Sequence, residues 1–307
     1  ETQKEVVFLF SFRKLSTKNN IFLARFFFLY VSILFNLWLL KNSVNRLKTI
    51  LLVSFLTISF GSWGQMDVDT TEEPIEGYQN VFKDGEWFQF RIHYGFFNAS
   101  YVSLSLEADT INKVPVFHAK GYGTTTGLAR LLYKVEDYYD SYFSQENGLP
   151  LWFIRNINEG GYTKDLEIHF DHEKEIAKIN DKKKKKRQEI KINPNAHDLI
   201  SAFYHLRNTK NTSAMKVGES VKINMFFDAE NYLFKLKYLG IETLNTKFGK
   251  VRCRKYIPYV QSGRVFKEQE SVTLWVSDDE NKIPIRFQAN IAVGSIKCDL
   301  ENFKNLK

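Results

Sequence analysis

The sequence predicts an all-β domain with minor α content, a strongly curved antiparallel sheet or half-barrel packed around one helix. Three observations lead there. From Glu86 onward, many short segments alternate apolar and polar residues, the two-residue period of strands with one buried face. Turn-forming groups such as Asn147-Gly148-Leu149-Pro150 separate these segments at hairpin spacing. One stretch, Asn195–Arg207 (NAHDLISAFYHLR), has a helical period instead. Many strands with hairpin-type links and a single helix argue for one β domain rather than βαβ units.

The elements follow in order. Glu86–Tyr94 places Phe88, Phe90, Ile92 and Tyr94 on one face, the core side, with Trp87, Gln89, Arg91 and His93 opposite. Ala99–Thr110 turns Val102, Leu104 and Leu106 inward, and Val114–Thr124 forms a third strand. Leu128–Leu132 makes one helical turn before the aromatic strand Val135–Phe143. Strands are then expected at Leu151–Asn158, Tyr162–Asp171, Ile176–Asn180 and Gln188–Ile192. In the helix, Leu199, Phe203 and Leu206 recur at i, i+4 and i+7 with Ile200 beside them, giving one apolar side. Pro194 stops what precedes it, Asn195 is the expected N-cap, and Asp198 sits at the acidic N3 position of a capping box. Ser220–Phe227, Tyr232–Leu239, Lys250–Tyr259, Ser271–Val276, Pro284–Asn290 and Gly294–Leu300 complete the strands.

The region before Glu86 reads differently. Arg46 and Lys48 precede the apolar run Thr49–Phe60, and Ser62 and Gly64 stand at −3 and −1 of a cut before Gln65. That is a signal-peptide pattern over residues 47–64, starting at Leu47 if an alternative start codon lies there. Residues 1–46 read as upstream or misassigned sequence. Their apolar run Phe26–Leu40 has a rival reading as a membrane anchor, but it is short for a span and broken by Asn36. Neither apolar run is followed by a Cys that could be acylated. Residues 65–85 are acidic and without pattern, a flexible arm, and 86–307 is the single β-rich domain. The expected location is therefore the periplasm or the exterior, with no stable membrane span in the mature chain.

The formal charge of +8 sits mostly at the front: residues 1–64 carry net +6 and the rest +2. The basic balance is thus poor support for nucleic-acid binding by the domain. Cys253 and Cys298 are the only cysteines, a candidate disulfide in an oxidising compartment or else two buried thiols.

Several local patterns occur in a fixed order. They are Tyr133–Asp140 (YKVEDYYD), Leu149-Pro150 with Glu159–Tyr162 (EGGY), Asp198–Arg207 (DLISAFYHLR), Gly249–Pro258 (GKVRCRKYIP), Leu274–Pro284 (LWVSDDENKIP) and Val293–Ser295 (VGS). Together they resemble an exported bacterial family catalogued as domain of unknown function 3108, over roughly Glu86 to Leu300. The resemblance implies export to the periplasm and a β-rich single domain. It brings no activity, substrate or catalytic residue with it.

Three polar clusters invite chemical readings. His197, Asp198, Ser201 and His205 lie along the helix, and Ser201 and His205 are one turn apart. No G-x-S-x-G elbow surrounds Ser201, so a cap with polar flanks is the better reading than a hydrolase. Glu167, His169 and Asp171 alternate on one strand face beside His172, without the second ligand group that a metal needs. The acidic stretch Asp278–Asn281 reads as a hairpin turn. Lys182–Arg187 is the sharpest charge run and reads as a solvated hairpin tip, with anionic lipid headgroups as the alternative contact.

These observations favour a non-catalytic envelope protein that binds an apolar or amphipathic, lipid-like ligand and needs no cofactor or metal. The alternatives are a structural or partner-binding envelope protein without a small ligand, and a hydrolase using the 195–207 region. If aromatic residues line a cavity between helix and sheet, Tyr122, Tyr139, Trp152 and Tyr204 are its candidate walls. Arg155, Glu159 and Arg207 are the candidate polar groups.

Overall fold

The computed structural model describes residues 81–209, 212, 214–262, 265–268, 272–291 and 294–307. The leader reading of 47–64, the upstream segment 1–46 and nearly all of the 65–85 arm lie outside the described residues.

Among the described residues, fifteen strands form one antiparallel sheet. Those before the helix are β1 (Trp87–Tyr94), β2 (Phe97–Ile111), β3 (Val114–Thr125), β4 (Val135–Ser144), β5 (Pro150–Glu159), β6 (Tyr162–Asp171), β7 (Ile176–Asp181) and β8 (Lys186–Lys191). Those after it are β9 (Ser220–Phe227), β10 (Glu230–Thr246), β11 (Gly249–Ser262), β12 (Val265–Glu268), β13 (Val272–Ser277), β14 (Pro284–Asn290) and β15 (Ser295–Lys304). Neighbours run β8-β7-β6-β5-β4-β3-β2-β1-β15-β14-β13-β11-β10-β9, and β12 pairs with the end of β11. Among the described residues two helices interrupt the strands, α1 (Gly127–Leu132) and α2 (Leu199–Asn208). The expected curved, open antiparallel sheet around one main helix is the fold observed.

The curvature has local causes. Register shifts fall at Gln89/Phe90, Ile92/His93, Tyr142/Phe143, Tyr238/Gly240 and Trp275/Val276. Each extra residue bends and twists its strand. One expectation is corrected at the end of β1: His93, expected on the solvent face, is buried against Asp299 on that face, while Tyr94, expected in the core, is exposed at the last position of the strand. Phe88 and Ile92 are in the core as expected, and Phe90 is half-buried.

The two sheet edges, β8 and β9, do not pair with each other. The lead-in to α2 fills the seam. The His197 amide donates to Asn224 O and the Phe226 amide to His197 O, a parallel bridge along β9. Asn231 ties the corner, accepting from the Asn193 amide and donating to Lys191 O. Asn195 is left-handed at φ 51°, so the chain turns there and α2 starts later than the apolar period suggested. Its N-cap is Asp198, whose Oδ1 accepts from the amides of Ile200 and Ser201 at 2.7 and 2.9 Å.

α2 packs against β3, β4 and β9. With the curved sheet on several sides, it buries more than a stripe: Leu199, Ile200, Ser201, Ala202, Tyr204, Arg207 and Asn208 are all buried. The chain ahead of β1 is also held. Phe82 packs edge-on against Phe117, Phe143 and Tyr204, and the Val81 amide donates to Asn208 Oδ1. Phe82 therefore brings residues read as the end of the arm into the core.

Cys253 and Cys298 are free and buried. The disulfide reading is corrected by topology. Cys253 is on β11 and Cys298 on β15, with β13 and β14 between them. Three strand spacings put them about 14 Å apart, twice the Cα reach of a disulfide.

Candidate functional site

Between α2 and the first half of the sheet, buried side chains from both form one hydrophobic core. An apolar cleft lies on the other side of the helix. Phe203 and Leu206, the half-buried part of the apolar stripe, face Leu236 on β10, Tyr256 on β11, and Leu274 and Val276 on β13. These strand residues share a face because they stand two apart within each strand or in register across strands, as Tyr256 does with Leu274 and Arg254 with Val276. The cleft holds about 590 Å³ of empty space including its open mouth, of which about 50 Å³ is cavity proper.

Three cations border this apolar floor: Arg207, Arg254 and Lys282. They differ in what holds them. Arg207 is neutralised, with Nη1 and Nη2 donating to Glu86 Oε1 and Oε2 at 2.6 and 2.8 Å and Nε donating to Asn281 O. Arg254 lies over the Tyr238 ring at 4.5 Å and reaches Asp278 at 3.1 Å. Lys282 donates to the Thr209 carbonyl at 2.6 Å. Partial burial, and then the charge of Arg254, push its pKa down to about 8. A cation held in an apolar setting beside a like charge is one that an anion would stabilise.

The polar side of α2 is largely buried and only partly hydrogen-bonded, His197 Nε2 and His205 Nδ1 having no hydrogen-bond partner among the described residues. Asp198 Oδ2 accepts from Ser141 Oγ at 2.6 Å, and burial raises its pKa to about 6. Ser201 Oγ lies 3.2 Å from His197 Nδ1, a nucleophile–base distance. Both are buried, as is Asp198, which bonds to Ser141 and the helix amides rather than orienting the imidazole. No substrate reaches Ser201 in this packing. The His197 and His205 rings lie 4.4 Å apart, and burial pushes both pKa values down, to about 4 for His205.

The candidate ligand residues do not converge on one site. Tyr122 and Trp152 lie on the convex face, where Tyr122 meets Tyr138, and Trp152 stacks between Tyr142 and His169. Tyr139 and Tyr204 are core residues. Arg155 is fully buried over the Phe227 ring and paired with Asp228 at 2.6 Å, which Lys164 also contacts. Glu159 lies beside Asp137, whose carboxyl is raised to about 8 by burial and by that neighbour. Arg207 alone borders the cleft. Its other cations, Arg254 and Lys282, were missed. The sequence offered no clear signal, since Arg254 is one of four cations in β11, with Lys250, Arg252 and Lys255.

Glu167 and His169 are engaged elsewhere, with Lys182 and with Trp152, and Asp171 pairs with Lys174. Among the described residues, no group of three His, Cys, Asp or Glu could hold a metal ion. Among them too, no helix is long and apolar enough to cross a membrane.

The family model described as "Protein of unknown function (DUF3108)" matches residues 89–301. No curated protein matches the sequence. Among solved structures, similarity extends to a β-barrel-like protein of domain of unknown function DUF1849 from Brucella abortus, at 7% identity, covering 74% of this chain and 99% of that one, with TM-score 0.48. A candidate lipoprotein from Parabacteroides distasonis ATCC 8503 follows at 12% identity, 75% and 100% coverage and TM-score 0.29. A candidate exported protein with a YmcC-like fold from Bacteroides fragilis NCTC 9343 is at 10% identity, 73% and 97% coverage and TM-score 0.29. No activity or ligand follows from likenesses of this size.

Proposed function

The chain belongs to the family of proteins of unknown function DUF3108, and from that premise we propose that it is an exported protein of the cell envelope that binds an anionic amphiphile without catalysing a reaction. The observation that carries this reading is the cleft between α2 and strands β10–β13. Its walls are apolar, and Arg254 and Lys282 stand at its border. A lipid-like molecule with a negative head and an apolar tail matches both features. The leader pattern of residues 47–64 supports export.

The volume limits the ligand. About 50 Å³ of cavity does not enclose a long chain, so the tail lies along the open groove rather than inside the domain. Native mass spectrometry after mild purification tests this. The expected result is a co-purifying acidic, lipid-like mass that is lost in Val276→Trp, which fills the groove. Absence of any such mass, or its retention in that variant, would count against the reading. The small enclosed volume favours one second reading, a partner-binding envelope protein that takes no small ligand.

A further inference from the structure

One end of the sheet gathers features that the cleft does not use. The β1–β2 turn, α1, the β5–β6 turn and the β7–β8 turn all lie at this end, as the strand registers require. Phe96, at the tip of the first turn, is 99% exposed. α1 buries none of its residues, leaving Leu131 84% and Leu128 55% exposed. Contacts link the parts in sequence. The Thr126 amide, just before α1, donates to Ala99 O beside the Phe96 turn. The Tyr133 ring, just after α1, lies across Gly160. Tyr162 follows that turn half-exposed, and Thr163 accepts from Lys183 Nζ at 3.0 Å. Lys183 belongs to the run Lys182–Arg187, six consecutive cations, all exposed. Several nearby acids are engaged, Glu136 with Arg130 and Lys134, Glu167 with Lys182, Asp181 with Lys184, and Asp228 with Arg155 and Lys164, while Asp165 adds a negative charge near Lys182.

We propose that this end of the sheet docks on the surface of a bilayer containing anionic lipid, Phe96, Leu128 and Leu131 entering the interface while Lys182–Arg187 lies over the headgroups. The inference stands apart from the cleft. Large apolar side chains that project singly from turns fit a fluid apolar layer, which closes round each of them. A row of cations on the same rim fits the negative potential of such a surface. The sequence alone favoured a solvated hairpin tip for that run. What changes the reading is its place beside Phe96, Tyr162 and α1.

The test places a fluorophore sensitive to polarity on the full chain at Phe96→Cys, at Leu131→Cys and, on the opposite end, at Lys113→Cys. Cys253 and Cys298 are buried and do not compete for label. Vesicles of phosphatidylcholine alone, or mixed in equal parts with phosphatidylglycerol, are then added. The readout is local, so attachment through another part of the chain does not mimic it. The expected result is a blue shift, and quenching by nitroxide lipid, at positions 96 and 131 with the anionic vesicles only, and none at 113. Reversing Lys183, Lys184 and Lys185 to Glu should move the vesicle midpoint by at least about tenfold. No response at 96 and 131, an equal response at 113, or an unmoved midpoint in the triple variant would each overturn the proposal. So would a rim that binds a protein and gives no signal with vesicles.

Discussion

The Arg207 guanidinium holds the Glu86 carboxylate through two hydrogen bonds of 2.6 and 2.8 Å, and both side chains are buried. The pair joins the last turn of α2 to the residue that leads into β1. Phe82, Phe88, Phe203 and Tyr204 surround the guanidinium within 5.2–5.7 Å of its centre. Such a pair has costly desolvation and is safe only while both partners are present. Glu86→Gln or Arg207→Met alone is expected to cost about 3–5 kcal/mol in denaturant unfolding. The double variant Glu86→Leu/Arg207→Met should recover most of that loss. If the double variant loses the sum of the two single effects, the pair is not the unit described.

His205 gives the fold an acid-sensitive element. Its folded pKa lies near 4, against an ordinary value of 6.5, because burial disfavours the charged ring. The unfolded chain therefore binds the extra proton across that window, and this contribution to stability falls as pH drops from 6.5 towards 4. Asp198 acts in the opposite sense. Its folded pKa is raised to about 6, so the folded state holds the proton longer and stability falls as pH rises from about 4 to 6. Comparing the parent with His205→Leu separates the two. Between pH 7 and pH 5 the parent should lose about 2 kcal/mol more than the variant. Equal losses would mean that His205 is hydrated or protonated in the folded state.

Asp198 caps α2 and also accepts from Ser141 on β4, 57 residues away in sequence. Asp198→Ala removes the cap and strands a buried hydroxyl, so a loss of about 2–4 kcal/mol is expected. Asp198→Ala/Ser141→Ala should be less destabilised than the two single losses added together. Additive losses would show that the 2.6 Å contact does not couple helix to sheet.

Both thiols are expected to be inert in the folded protein. Burial raises the pKa of each, that of Cys253 to about 11, and the strands between them prevent oxidation to a disulfide. A thiol reagent should modify neither cysteine at neutral pH and both in denaturant, without reductant in either case. Any native modification, or a thiol unavailable after denaturation, would contradict the placement.

Much of the fold was legible because its signals are local. Tyr162–Asp171, Ser220–Phe227 and Pro284–Asn290 have the expected ends, and Val102, Leu104 and Leu106 are buried as their alternation implied. What failed locally depended on tertiary geometry. That Tyr94 falls at the exposed end of β1 leaves no mark in a two-residue period. The start of α2 moved from Asn195 to Asp198 because residues before it bridge to β9, a contact some thirty residues distant. The site was less legible for the same reason. Aromatic content picked out residues on both sheet faces, since Trp152 and Tyr139 have similar composition signals and opposite orientations. Only the curvature of the open sheet decides that Phe203 and Leu206 look onto Tyr256 and Val276 while Tyr204 is packed away.

The central claim is that the apolar cleft, bordered by Arg254 and Lys282, takes an anionic amphiphile, and a binding titration with a fluorescent long-chain carboxylate tests it most directly. The account predicts saturable binding by the parent, loss of binding in Leu236→Trp, which fills the groove, and a midpoint weakened about tenfold in Lys282→Glu, the effect of about 1.4 kcal/mol of lost attraction. Binding should also weaken as pH rises through about 8, where Lys282 loses its proton. No saturable binding by the parent, or binding unchanged in both variants, would contradict it.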